Sequence, residues 1–187
     1  MRRSGFIERF FNPAAMTAAV LNFESGAAGF GTGEAIIEDA NILAADGEPL
    51  AWIEGSESVM VVVRIRVNRD MENPIVGFFF KDRFGQAVLG DNTFLSYADT
   101  PLGVQAGQNL EAHFSFDLPN LMSGDYTADV AIASGTLTHY VVHQWLHDAF
   151  AIRVHSPYRN GVLIAVPMHS VVLKVVDPPV SALVSTG

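Results

Sequence analysis

Three histidines recur at every fourth position, His139, His143 and His147, with Asp148 beside the last. On a helix this spacing stacks the imidazoles on one face as a metal-ligand stripe. On a strand the even spacing still keeps them on one face, but at 3.3 Å per residue neighbours stand ~13 Å apart, too far to share an ion. Trp145 and the β-rich flanks favour a strand or bulged loop, and with it surface or sugar-facing histidines and no metal site. Sugar recognition also needs flat aromatic faces for the apolar side of a ring and planar polar groups for its hydroxyls, on an ordered surface. Trp52, Tyr97, Tyr140, Trp145 and Tyr158 are the candidate aromatics, since the many Phe residues mostly fall on core phase. Core or dimer packing is the competing reading of Trp52 and Trp145.

The candidate polar contacts are Arg64, Arg66, His113 and Ser115, which alternate with apolar residues and so project from outer strand faces. Arginine forks there would suit an acidic sugar or a phosphate cap. A solvated sheet face with cross-strand pairs to Asp or Glu accounts for the same residues. Catalysis has little to stand on: Asp and Glu occur singly in turns, and no Ser-His-Asp order sits in a strand–helix elbow. A cupin-like metalloenzyme would require the histidines to converge in space.

The elements that position these residues are short strands. Val59, Val61, Val63, Ile65 and Val67 share one face, with Met60, Val62, Arg64, Arg66 and Asn68 on the other. Phe114, Phe116 and Leu118 alternate in the same way, as do Tyr126, Ala128, Val130 and Ile132, and then Phe150, Ile152 and Val154. Turn clusters at Asp46-Gly47-Glu48-Pro49, Glu72-Asn73-Pro74, Phe84-Gly85, Ala106-Gly107 and Ser123-Gly124 separate them. The pattern predicts an all-β, antiparallel sandwich of about eight to ten strands.

Three segments stand outside that pattern. Asn12-Pro13 is a helix-start signal and predicts a short helix over 13–22. The Gly-rich run 25–33 reads as a flexible joint, so that 1–32 is a linker and the domain spans 33–176. Residues 160–176 form an apolar, strand-like tail that either closes its own sandwich or pairs with a neighbour's edge, followed by a flexible end over 177–187.

Composition narrows the partners. The 187 residues carry 11 Lys+Arg against 20 Asp+Glu, a formal charge of -9, which makes nucleic acid and anionic lipid poor partners. An apolar share of 49% and a charged share of 17% belong to a folded chain. Zero cysteines exclude thiolate chemistry and suit a reducing compartment. No stretch reaches the ~20 apolar residues of a membrane span, and charges interrupt the N-terminal apolar run, unlike a signal peptide.

The stretch NPIVGFFFKDRFGQAVLGDNT from Asn73 resembles the strand–turn–strand motif of the C-terminal domain of Wzt-type ABC transporter subunits, which serve O-antigen export. GEAIIEDANILAADGEPL from Gly33, DLPNLMSGDYTADVAIA from Asp117, HDAFAIRV from His147 and RNGVLIAVPMHS from Arg159 resemble the same family in the expected order. The resemblance implies a jelly-roll or immunoglobulin-like β-sandwich that dimerises through an exchanged C-terminal strand. It also implies binding of lipid-linked O-antigen polysaccharide at the cytoplasmic face of the inner membrane, with the transporter's membrane subunit as partner and no cofactor. In that sandwich the strands bearing Arg64 and His113 are neighbours. The chain has no G-x-x-x-x-G-K-[ST] phosphate loop, so it hydrolyses no ATP itself, and Met1–Phe11 reads as the remainder of a linker. A dimerising sandwich without a ligand is the alternative.

Overall fold

The computed structural model describes residues 20–21, 23, 26–48, 50, 53–157, 161–166 and 168–174. Among the described residues, seven longer strands build two antiparallel sheets, and six two-residue strands add four short pairings, one of them β5 (Met71–Glu72) with β8 (Gly103–Val104). The smaller sheet has the order β3 (Ala35–Ala44), β4 (Ser58–Val67), β9 (Asn109–Asp117). The larger runs β12 (Tyr140–Val154), β11 (Gly124–Gly135), β6 (Pro74–Lys81), β7 (Ala87–Asn92). Its outer edge at β12 is covered in two places, by β1 (Val20–Leu21) against Ile152 and Ala151 and by β2 (Gly29–Phe30) against Leu146 and Trp145.

The core is the apolar phase of these strands. Val59, Val61, Val63, Ile65 and Val67 of β4 are all buried and face Val76, Phe78 and Phe80 of β6 and Tyr126, Ala128, Val130 and Ile132 of β11 within one cluster. Ring packing fixes the register between sheets: Phe78 lies 5.0 Å from Phe114 and 5.8 Å from Phe116, both on β9 of the opposite sheet. Turns follow the residues that suit them. At 82–86 the Asp82 carboxylate accepts the N–H groups of Phe84 and Gln86, and Gly85 takes φ 78°. Asn92 and Thr93 likewise accept the backbone N–H groups of Phe94 and Val76 where β7 leads into the one-turn helix α1 (Phe94–Tyr97).

Three expectations need revision or restriction. Most of the helix expected over 13–22 falls on residues outside the description, and its described pair, Val20–Leu21, is extended and paired with β12. The Gly-rich run, expected to be a joint, is an edge strand with its flanks: Ala28 accepts from His147 N–H, Thr32 N–H donates to Val142, and Gly33 N–H to His143. Glycine is needed there because a Cβ on Gly29 would stand 2.3 Å from the Trp145 carbonyl oxygen and one on Gly31 2.2 Å from that of His143. Among the described residues of the tail only Ile164–Ala165 (β13) is strand, paired with Asn120–Leu121 (β10); the others within 161–174 have no regular structure within one chain. Val171, Val172 and Leu173 are among the most exposed large apolar residues.

Candidate functional site

An aromatic platform occupies the outer face of the larger sheet. Trp145 of β12 faces Ala131 of β11, which faces Gly77 of β6. These two small residues leave room for the indole to lie across β11, and its ring centroid comes within 5.3 Å of Phe79 on β6. The two strands are themselves ~9–10 Å apart, so the ring and not the backbone makes the span. On the other side Phe30 of β2 stacks on Trp145 at 5.9 Å with planes 13° apart. His147 adds a fourth ring at 6.1 Å from both Phe30 and Trp145. Phe30 is 55% exposed and Phe79 36%, so flat apolar surface faces solvent.

The platform stands on a buried carboxylate. Ala128 pairs with Phe150 and Val130 with Leu146, so the one residue between, Asp129, opposes three on β12: His147, Asp148 and Ala149. Such a bulge leaves backbone groups without ladder partners, and Asp129 supplies them. Its Oδ1 accepts the Asp148 N–H at 2.8 Å, while Oδ2 accepts the Trp145 indole N–H at 3.2 Å and lies 2.9 Å from His147 Nδ1. Lys81 Nζ bridges Asp129 and Asp148, at 2.8 Å from the latter, and Thr127 donates to the same Asp148 oxygen at 2.6 Å. Asp148 has φ 54°, a left-handed conformation that Asp tolerates better than most residues.

Burial by itself would push the Asp129 carboxyl upward, but the Lys81 ammonium, the Asp148 N–H and His147 outweigh it and hold the group below the usual aspartate range. A carboxylate only accepts, so His147 carries a proton on Nδ1 and turns Nε2 outward. With Asp148 Oδ2 this gives the platform two polar atoms beside its rings for which no hydrogen bond occurs among the described residues. His147 has 46% of its side chain exposed and Asp148 28%. The arrangement can stack a flat apolar face and accept hydrogen bonds at its rim.

A second concavity opens between the sheets at the opposite end of β11. It is a cleft of about 560 Å3 whose wall includes Pro74, Phe94, Tyr97, Leu102, His113 and Thr136.

Of the residues expected at a site, Trp145 is at the centre of the platform. Tyr140 is 55% exposed at the far end of β12, and Trp52 and Tyr158 lie outside the described residues. Arg64, Arg66, His113 and Ser115 do share the outer face of β4 and β9, with Val62 opposite His113 and Met60 opposite Ser115. That face is the far side of the smaller sheet, away from the platform. Arg64 is held by Asp39 at 2.9 Å and Glu111 at 2.7 Å, Arg66 by Glu38 at 2.7 Å, and His113 by Glu111 at 2.5 Å. His113 and Arg64 together hold Glu111 below its ordinary range.

The three histidines part company. His143 occupies a bulge of its own, 3% exposed, between Thr32 Oγ1 at 3.0 Å and Ser134 Oγ at 2.8 Å. Burial pushes its pKa down against the pull of Glu34. His139 bonds Thr138 in the β11–β12 hairpin. Among the described residues no group of three His, Asp or Glu side chains could hold a metal. Sequence reasoning missed Phe30, Phe79, Lys81 and Asp129. The signal for Phe79 was present, since in Phe78-Phe79-Phe80 a strand that buries the outer two turns the middle one outward.

Fold and platform together define an antiparallel β-sandwich domain with a ring-lined outer face. The sequence profile of the Wzt C-terminal domain matches residues 27–165 of the 187. The chain belongs to that family, which ties it to O-antigen ABC transporters as the C-terminal, non-catalytic part of their subunits. Among solved structures, the crystal structure of the C-terminal domain of wzt is similar with a TM-score of 0.72 at 20% identity, over 82% of this chain and 92% of that one. That likeness carries the fold. No curated protein matches the chain. Among the described residues no helix is long and apolar enough to cross a membrane.

Proposed function

We propose that the chain binds O-antigen polysaccharide and presents it to the ABC exporter of which its family forms part, at the cytoplasmic face of the inner membrane. The observation that carries the reading is the Phe30–Trp145–Phe79 platform: three exposed or half-exposed rings side by side on a rigid sheet, with hydrogen-bonding atoms at the rim. Isolated surface aromatics are ordinary, whereas a contiguous, rimmed patch marks a binding surface. Pyranose rings stack on such faces, and several weak ring contacts along one polymer add up through effective concentration. The domain contributes recognition, and the chemistry of export belongs to other parts of the transporter.

The tail supports a second element of the same reading, a homodimer. Val166, Met168, Val171, Val172 and Leu173 are each 67% or more exposed in one chain. Apolar, strand-forming sequence left in water is an association site, and a second copy offering the same tail would cover both.

Calorimetric titration of the purified chain with O-polysaccharide from its own source strain tests the reading. Saturable binding that Trp145→Ala weakens at least tenfold, and Tyr97→Ala in the inter-sheet cleft does not, is the expected result. Binding insensitive to Trp145 moves the site off the platform, and absence of binding leaves the dimerising sandwich without a ligand.

A further inference from the structure

We infer that the glycan met by the platform is an uncharged one, a polymer of neutral sugars without carboxylate, phosphate or sulfate; the inference rests on the polysaccharide-binding reading above. The argument comes from where the cations are. Seven Lys and Arg residues lie among the described positions, and five of them are in ion pairs: Arg64 with Asp39 and Glu111, Arg66 with Glu38, Arg69 with Glu34, Lys81 with Asp129 and Asp148, and Arg153 with Asp125. Arg83 lies over the Phe84 ring in the β6–β7 turn, and Lys174 is in the tail.

At the platform itself two carboxylates share one ammonium. Lys81 is 11% exposed and is bracketed by Asp129 and Asp148, so its single positive charge is already opposed by two carboxylates. A uronic acid or phosphate docking on the rings would lose hydration beside two aspartates and, among the described residues, gain no Lys or Arg that is not already paired with them, a loss that buried charge without a partner entails. The chain's formal charge of -9 adds long-range repulsion of a polyanion.

The same groups suit hydroxyls. Asp148 Oδ2 accepts only, and His147, with Nδ1 against Asp129, turns Nε2 to the rim. Sugar hydroxyls both donate and accept, so they can bond to either atom. The neighbouring rings, Phe30 and Trp145 in near-parallel stacking, suit the C–H faces of sugars that carry no charge.

The test uses two sets of purified O-polysaccharides of known composition, one neutral and one containing uronic acid or phosphate, titrated into the 187-residue chain at about 0.05 M and about 0.5 M salt. Saturable binding confined to the neutral set, changing less than about twofold across that salt range and lost in Trp145→Ala, is expected. Binding of an acidic polymer that Trp145→Ala abolishes, or affinity that salt lowers tenfold, overturns the uncharged class and leaves the polysaccharide reading standing. Failure of both sets to bind overturns both, and circular dichroism of Trp145→Ala separates lost contact from lost fold.

Discussion

Asp129 Oδ2 is shared by two rings: it accepts the Trp145 indole N–H at 3.2 Å and lies 2.9 Å from His147 Nδ1. One carboxylate thus fixes the orientation of the central aromatic and the tautomer of its neighbour. Its other oxygen closes the β12 bulge. Structural repair of a broken ladder and preorganisation of the ring surface are the same set of bonds.

Replacing Asp129 by Ala leaves the Asp148 N–H and the Lys81 ammonium short of their main acceptor. Breaking a buried pair from one side costs about 3 kcal/mol, so urea unfolding of Asp129→Ala should show a loss of that order. Arg66→Ala, which removes a pair whose side chains are 49% and 48% exposed, should lose under ~1 kcal/mol. Equal losses would show that the bulge is not held by its carboxylate.

Acid should weaken the fold in two steps. His143 has its folded pKa lowered, so as pH falls below about 6.5 the unfolded chain takes up a proton that the folded chain refuses, and stability declines. Asp129 is also lowered in the fold; its contribution is complete above its unfolded pKa of about 3.9 and is lost as pH falls through the folded value. Urea midpoints measured from pH 8 to pH 3 should show both declines. His143→Gln should remove the upper one and leave the lower.

Gly29→Ala puts a methyl 2.3 Å from the Trp145 carbonyl oxygen. β2 then has to shift off β12, carrying Phe30 away from its stack. Glycan affinity should fall several-fold while the urea midpoint drops by less than in Asp129→Ala, because β2 contributes two residues to the ladder. Tryptophan emission shifted to the red would report the uncovered indole.

Light scattering of the full chain should give twice the monomer mass at micromolar concentration, and deletion of 167–187 should give the monomer. The deletion keeps Ile164–Ala165 on Asn120–Leu121 and removes the exposed Val171–Val172–Leu173 run. A full chain that stays monomeric would remove the homodimer from the proposal.

The sandwich was legible because strand alternation is a local signal. The β4 valines and the β6 phase of Val76, Phe78 and Phe80 are buried as their spacing requires, and Asp82-Arg83-Phe84-Gly85 turns where Gly supplies a positive φ. Of the candidate site, the sequence singled out Trp145 and, in the histidine series, His147 with Asp148, and no more. β12 carries two bulges, at His143 and at 147–149, and a bulge inserts residues that the period of two cannot register. The glycines at 29 and 31 were ambiguous for a different reason: composition does not distinguish a residue small for freedom from one small for close approach. Arg64 and Arg66 were placed on the correct face, yet their carboxylate partners come from both flanking strands, a pairing that only register decides.

The alternation within β6 and β11 also separates two kinds of selection. Phe78 and Val130 face inward and determine whether the chain folds, whereas their neighbours Phe79 and Ala131 face outward, on the surface proposed to meet the glycan. Exchanging an outward residue such as Phe79 alters that surface with little demand on the core beneath it, so under the proposed function one scaffold would be retuned toward different polymers. Asp129 and Lys81 are the exception, outward in phase yet the one buried and the other largely covered. They form a keel: substitution at Phe30 or Phe79 leaves the bulge that aims the indole in place, whereas Ala131 and Gly77 have to stay small for the indole to lie across them.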